Sequence, residues 1–255
     1  MVDGDFIPDA PSKLVATGQF APNIPIIQGW NENDGSLYTP AYITDEAGVL
    51  GFLKALGPGL TNASLHTALQ LYPVTDFVAS ATKSAQWFRA AQLIRDIVFT
   101  CPAIRFAEAT VKRGSDAYLY NLNQTAFARR FAAANQQYLE VSHYSDIPYV
   151  FNSVAQITLP DAPLASDITL AHNLSGSWST FTWTGNPCGK GESICNWPQA
   201  FSSRTYGVKA TVEVIGGPDA GPKELTRAGG TEAINGENLW ARCDFIQRSQ
   251  GELRV

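Results

Sequence analysis

The spacing of apolar residues along the chain predicts a mixed fold of α-helices and β-strands. Helical periodicity predicts six helices, over residues 45–56, 62–72, 80–111, 127–139, 167–183 and 238–250. Extended or alternating apolar runs predict three strands, over residues 24–27, 116–123 and 208–215. Three strands are few for a chain of 255 residues, so most of a sheet is expected to be missing.

Capping and breaking residues set several of the predicted boundaries. Thr44 or Asp45 is suited to cap the helix over 45–56, and Gly57 is a natural stop at its other end. Pro102 is expected to break the tract over 80–111, because proline lacks a backbone N–H. The chain contains no internal repeat and no low-complexity linker.

The segment "YLEVSHYSDIPYVFN", residues 138–152, combines a structural pattern with a chemically active side chain. It predicts a strand ending near Val141, a loop that carries His143, and a helix that Ser145 or Asp146 caps, with Pro148 in its first turn. Hydrolases often keep their general base in such a loop. A lone loop histidine is nevertheless more often structural than catalytic.

Composition narrows the class of protein. The sequence is 45% hydrophobic and 16% charged, which gives enough apolar side chain for one sizeable core or two small ones and argues against disorder. The net charge of −5 and the scattered basic residues argue against nucleic acid as a partner. No apolar run reaches the roughly 18–20 residues that a membrane span requires.

Several features are typical of an extracellular protein. Three N-glycosylation sequons begin at Asn62, Asn123 and Asn173. The first residues, "MVDGDFIPDAPSKL", have neither the basic nor the apolar region of a signal peptide. A chain with secreted features and no leader is expected to have lost its natural beginning.

The cysteines are even in number, which also fits an oxidising compartment. Cys188 and Cys195 flank the loop "CGKGESIC", which a local disulfide could close. Cys101 and Cys243 would then form a long-range pair. This is one of three possible connectivities, and four free thiols are the alternative.

An acidic residue earlier in the chain supports a catalytic role for His143. Asp34 lies between a predicted strand and Gly35, where a carboxylate could fix the tautomer of a histidine and stabilise its protonated form. The alternative for Asp34 is a plain Asp-Gly turn. The other two histidines, His66 and His172, lie in helical patterns and are interpreted as structural.

Six stretches, taken in order, resemble the type-B carboxylesterase/lipase family, which includes cholinesterases and fungal lipases. They are "VDGDFIPDAP", "IPIIQGWNENDGSLYTP" with "YPVTD", "FTCPAIRFA", "HYSDIPYVF", "TFTWTGNP" with "NWP", and "RCDFIQ". The resemblance covers nearly the whole chain. It implies that residues 1–255 are the C-terminal part of one carboxylesterase domain with an α/β-hydrolase fold, whose N-terminal half of the sheet is missing.

The resemblance also implies roles for individual residues. His143 matches the family's catalytic histidine, and Asp34 matches its acid, although that position is more often Glu and Glu32 is therefore a competitor. Cys101 and Cys243 match positions that many members bridge. The implied chemistry is Ser-acid-His hydrolysis of an ester or lipid substrate, without a metal or cofactor, in a secreted protein.

The nucleophile of such a reaction is absent from the sequence, because no G-x-S-x-G motif occurs in it. The nearest string, "GESIC" at residues 191–195, ends in cysteine, follows no strand and comes after His143, so we interpret it as an exposed loop. The glycines of "GPG" at 57–59 are better explained as a helix stop than as an oxyanion segment. The serine is expected to come from a portion upstream of Met1 or to have been lost.

Three functions follow from these observations. The first is the acid-and-histidine portion of a carboxylic-ester hydrolase, and the second is a non-catalytic remnant of the same family. A small-molecule binding module unrelated to hydrolysis is a third, which only the aromatic content suggests. A sheet that lacks its central strands is also expected to leave an edge unpaired, so the isolated chain is predicted to be poorly soluble or partly molten.

Overall fold

The computed structural model describes residues 2–202, 209–226 and 238–253, and its centre is a four-stranded β-sheet. The strands are β1 (Ile26–Asn31), β2 (Ala117–Leu122), β3 (Lys209–Ile215) and β4 (Gly221–Thr226). They lie in the order β1-β2-β3-β4, with β1 and β4 at the two edges. The first three are parallel, and β4 runs antiparallel to β3.

Eleven α-helices occur in the described part of the chain. They are α1 (Pro11–Ala16), α2 (Glu46–Leu56), α3 (Asn62–Leu71), α4 (Ala85–Arg95), α5 (Cys101–Lys112), α6 (Ala128–Ala133), α7 (Ile147–Val150), α8 (Val154–Ile157), α9 (Ala165–Thr184), α10 (Leu239–Arg248) and α11 (Gln250–Leu253). Together with the sheet they confirm the predicted α/β class. Among the described residues, no helix is both long and apolar enough to cross a bilayer.

The helix boundaries follow from local side-chain chemistry. Asp45 caps α2 as predicted, since its carboxylate accepts the Gly48 N–H, and Gly57 ends that helix. Thr61 and Ser84 cap α3 and α4 in the same way. Each cap satisfies a backbone donor that would otherwise lack a partner inside the helix.

Pro102 was predicted to break the helical tract, but the tract continues past it. A π-helical segment, Asp96–Thr100, joins α4 to α5, and Pro102 occupies the first turn of α5. Proline lacks the N–H that would bond four residues back, and a π-helical turn widens the ladder at the point where that bond is missing. The tract therefore continues past the proline with a local change of pitch.

The sheet separates two apolar clusters, which gives three layers. One cluster joins Trp30, Leu119 and Val212 to the helices α2 to α5 and α10. The other joins Tyr120 and Ile215 to α7 and α9. Successive side chains of a strand point to opposite faces, so both faces of the sheet are covered.

The structure corrects several of the sequence predictions. The predicted strand before His143 is instead a 3₁₀ turn, Gln137–Leu139, followed by a single β-bridge between Asn33 and Ser142. The predicted helix over 127–139 is shortened to α6. Strand β4 and helix α1 were not predicted, because "GPKELT" lacks alternation and "PSKLVA" spans less than two turns. Residue 208, the start of the third predicted strand, lies outside the described residues.

One of the two predicted disulfides is formed. Cys101, at the start of α5, is bonded to Cys243 in α10, across 142 residues of sequence. The predicted bridge between Cys188 and Cys195 is not formed, and both are free thiols. The neighbouring Cys195 thiol raises the pKa of Cys188.

Candidate functional site

The acid-bearing turn begins where β1 ends. Strand β1 ends at Asn31, and a 3₁₀ helix, Asp34–Tyr38, begins three residues later. Gly35 lies so close to α4 that a Cβ atom there would be 1.8 Å from the carbonyl oxygen of Ala91. The Asp-Gly pair therefore does more than turn the chain, because the glycine allows the carboxylate-bearing turn to pack against a helix backbone.

Backbone and side-chain hydrogen bonds join this turn to the loop that carries the histidine. The Asn33 N–H donates to the Val141 carbonyl at 3.0 Å, and the Asn33 side-chain oxygen accepts the Val141 N–H at 3.2 Å. The Ser36 hydroxyl donates to the Leu139 carbonyl at 2.9 Å. Tyr144 has a φ of 73°, an unusual value for a bulky residue, and turns the chain sharply after His143.

His143 and Asp34 are in direct contact. Nδ1 of His143 lies 2.8 Å from Oδ1 of Asp34, and the other carboxylate oxygen accepts the Asn31 N–H at 2.7 Å. Asp34 is 3% exposed. Burial raises the pKa of Asp34, although the Asn31 N–H and His143 both stabilise the ionised form.

Aromatic rings surround the imidazole on several sides. The ring centroids of Phe99, Tyr38 and Tyr144 lie 4.8, 5.4 and 4.2 Å from that of His143. The histidine side chain is 25% exposed. These contacts and the carboxylate restrict the orientation of the ring, while part of its surface remains open.

A second carboxylate lies close to the pair. Asp146 accepts a hydrogen bond from the Tyr120 hydroxyl at 3.1 Å and a longer one from the Asn31 amide at 3.4 Å. Its negative charge also contributes to the raised pKa of Asp34. The Asn31 amide donates to the Ser142 carbonyl as well, at 3.1 Å, and so ties the end of β1 to the histidine loop.

Glu32, the alternative acid, points to a different partner. Its carboxylate lies 3.6 Å from the guanidinium of Arg95, which also donates to the Glu32 carbonyl oxygen at 3.1 Å. The contact with His143 Nδ1 is made by Asp34. Of the two candidates, Asp34 has the geometry of an acid that orients the histidine.

The arrangement suits general acid–base chemistry. An imidazole whose Nδ1–H is held by a buried carboxylate presents Nε2 as the proton acceptor, and the carboxylate stabilises the imidazolium that forms. Among the described residues, no group of three His, Cys, Asp or Glu side chains could hold a metal ion.

The "GESIC" string forms a loop against α9. The Ser193 hydroxyl donates to the Gly189 carbonyl at 3.0 Å and accepts the Gly189 N–H at 3.1 Å. The Ile194 N–H donates to the Ser177 hydroxyl of α9 at 2.8 Å. Ser193 is therefore engaged in closing its own loop.

The remaining predicted residues lie away from this site in the described structure. Asn62 is exposed at the start of α3, whereas Asn123 and Asn173 are partly buried. His66 is exposed on α3, and Nδ1 of His172 lies 3.4 Å from a carboxylate oxygen of Glu192. Glycosylation at the three sequons stays a prediction.

Sequence reasoning missed the residues that hold the pair together. Asn31 bonds to Asp34 and to Asp146, and Asn33 bonds to Glu140 and to Val141. The run "NEND" directly after an apolar strand was a usable signal, because polar groups at the carboxyl end of a parallel strand often converge on a site. The contribution of Asp146 depends on Tyr120 of β2 and leaves no such local signal.

Comparison with known proteins identifies relatives of this chain. Residues 1–213 match the model of the carboxylesterase family. A secreted lipase of Arthroderma benhamiae is 36% identical over 251 residues, which cover 96% of the chain and 42% of the lipase. The inactive carboxylesterase-like protein VdtD of Byssochlamys spectabilis is 33% identical over 265 residues, covering 97% of the chain and 43% of VdtD.

The fold has a solved counterpart. The crystal structure of EstA from Aspergillus niger superposes with a TM-score of 0.74 at 16% sequence identity, covering 100% of the chain and 45% of EstA. This superposition confirms that the sheet and helices are part of an α/β-hydrolase fold. The chain spans less than half the length of the relatives named here.

Proposed function

Because the chain belongs to the carboxylesterase family, we propose that it supplies the acid and the histidine of a Ser-acid-His ester hydrolase. The observation that carries the proposal is the 2.8 Å contact between His143 Nδ1 and Asp34 Oδ1. The nucleophilic serine comes from a portion of the protein outside these 255 residues, since G-x-S-x-G is absent from them.

Each residue has a defined role in the proposed reaction. His143 accepts the serine proton as the serine oxygen attacks the ester carbonyl, and Asp34 stabilises the resulting imidazolium. His143 then returns the proton to the leaving alcohol, which leaves an acyl-enzyme. Water, deprotonated by the same imidazole, releases the carboxylic acid and regenerates the serine.

Family membership supports a proposal for the substrate class and for the location of the protein. The proposed substrates are small-molecule or lipid esters. The proposed location is extracellular, which agrees with the secreted lipase among the relatives and with the disulfide between Cys101 and Cys243.

Complementation tests the proposal. The chain is co-expressed with the N-terminal portion of the A. benhamiae lipase, provided that portion carries a G-x-S-x-G motif, and hydrolysis of p-nitrophenyl esters is measured. We expect activity that His143→Ala lowers by at least about 10³-fold. His172→Ala, the control, retains it. Equal activity of the His143→Ala protein and the unmodified chain would remove His143 from the mechanism.

One specific observation favours a second function, in which the protein is a non-catalytic member of the family. VdtD, a relative of similar identity, is described as inactive, and the present chain has no nucleophile motif of its own. A fluorophosphonate probe, which labels activated serines, distinguishes the two functions when applied to the native protein. A protein that carries His143 and remains unlabelled supports the non-catalytic function.

A further inference from the structure

A cavity of about 340 Å³ opens beside His143 and is lined mainly by apolar side chains. The apolar and aromatic members of this lining are Leu37, Phe127, Phe131, Ala134 and Tyr144. Phe127 and Phe131 lie in contact, with ring centroids 5.8 Å apart. A cavity that adjoins the candidate base and offers apolar walls is suited to the carbon chain of a substrate.

One permanent charge interrupts this apolar lining. Arg130, an exposed residue on α6, is among the residues that line the cavity, and its guanidinium forms no hydrogen bond or ion pair with any of the described residues. The adjacent Arg129 differs, because its guanidinium donates to the Ala162 carbonyl at 3.0 Å. The donors of Arg130 are thus accessible to a ligand bound in the cavity.

We infer that this cavity selects esters that carry a carboxylate on the part of the substrate remote from the scissile bond. The inference rests on the proposed function, since it assigns a substrate class to the same site. Arginine binds carboxylates through two parallel N–H donors, a geometry that adds specificity as well as energy. A single guanidinium balances a carboxylate, whereas it leaves a phosphate dianion partly uncompensated.

Binding to the intact 255-residue chain tests the inference without requiring catalysis. Monomethyl adipate, which carries one carboxylate, is compared with dimethyl adipate, which is neutral and nearly the same shape. Binding is followed through the NMR signals of the His143 imidazole. We expect the monoester to bind at least about fivefold more tightly than the diester in the unmodified chain.

Matched variants identify the group responsible. Arg130→Gln removes the preference for the monoester, and Arg130→Lys retains part of it because the charge remains while the fork geometry is lost. Arg129→Gln keeps the preference. Equal binding of the two esters to the unmodified chain, binding of neither, or the same loss in Arg129→Gln and Arg130→Gln would each overturn the inference.

The two proposals fail separately. A complemented enzyme that hydrolyses neutral esters while the chain binds both adipates equally refutes the selection by Arg130 and leaves the proposed function intact. A preference for the monoester in the chain, combined with no hydrolysis after complementation, supports the carboxylate site and counts against the hydrolase function.

Discussion

Gly35 and Ala91 are in backbone contact: a Cβ atom on Gly35 would lie 1.8 Å from the Ala91 carbonyl oxygen. The turn that carries Asp34 therefore rests directly on α4, with no side chain between them. The position of the carboxylate depends on a glycine that has no chemical function of its own. The geometry of the site therefore requires glycine at position 35 as much as it requires a carboxylate at position 34.

Replacement of Gly35 by alanine is expected to displace the turn or unfold the chain. Rotation of a side chain cannot relieve the overlap, because the atom it meets belongs to the backbone, and we expect a loss of about 3 kcal/mol or more in the free energy of unfolding. Urea unfolding measures this loss of stability. Gly51→Ala is the matched control, since Gly51 is exposed within α2, has open space around its Cα and should gain up to about 1 kcal/mol.

Asp34→Asn is expected to lower kcat of the complemented enzyme by about 10⁴-fold. An amide cannot stabilise the imidazolium, and it can hold the wrong tautomer of His143. The measurement is the rate of p-nitrophenyl ester hydrolysis. Glu32→Gln should change the rate by less than about threefold, because Glu32 pairs with Arg95. A larger loss in Glu32→Gln than in Asp34→Asn would reverse the assignment of the acid.

Stability of the chain is expected to fall as pH rises, because of Glu213. This residue lies on β3, is 5% exposed, and its Oε2 has no hydrogen-bond partner among the described residues. Burial raises its pKa from 4.5 to about 7. The folded state therefore holds a proton that the unfolded chain releases at lower pH, and folding is penalised progressively between pH 4.5 and 7.

Glu213→Gln tests this pH dependence. The gap between the two pKa values corresponds to at most about 3 kcal/mol, because solvent screening reduces it, so above pH 7 the variant should be more stable than the unmodified chain by up to that amount. Urea unfolding between pH 4 and pH 8 measures the difference. Glu224→Gln, in the exposed ion pair with Lys209, is the control and should leave the slope unchanged. Parallel pH profiles for the chain and Glu213→Gln would contradict the prediction.

The bond between Cys101 and Cys243 is expected to contribute about 4–5 kcal/mol to stability. It closes a loop of 142 residues, and long loops lose the most conformational entropy in the unfolded state. Replacing both cysteines by alanine should lower the free energy of unfolding by that amount. The double replacement of Cys188 and Cys195, which are unbonded, should cost less than about 1 kcal/mol. Equal losses in the two double variants would show that the long loop is not the cause.

Much of the fold was predictable because its helices and strands carry their own signals. Asp45 and Gly57 mark the ends of α2, and alternation marks β2. The segment before His143 was misassigned because its backbone is set by distant partners. Glu140 has a φ of 49° and is held by the Asn33 side chain at 2.7 Å, a contact across 107 residues that no local pattern encodes.

The pairing of Asp34 with His143 was predictable from the sequence, and the residues that support the pair were not. Asp34 and His143 follow from their places in a family resemblance, whereas Asn31 and Asp146 matter because β1 and β2 are adjacent. The orientation of Glu32 also required the fold, since Arg95 becomes its neighbour only when α4 packs beside β1. Residue type indicates the chemistry, and the partners of each side chain come from tertiary packing.

The bonds of Asn33 to Val141 have a kinetic consequence. They join the turn that carries Asp34 to the loop that carries His143, whereas the serine of the proposed reaction lies in a portion of the protein outside these 255 residues. Relative motion of the two portions would change the distance from serine to imidazole and leave the distance from imidazole to carboxylate constant. Loosening the junction would thus slow proton transfer from the serine and leave the basicity of the imidazole unaltered.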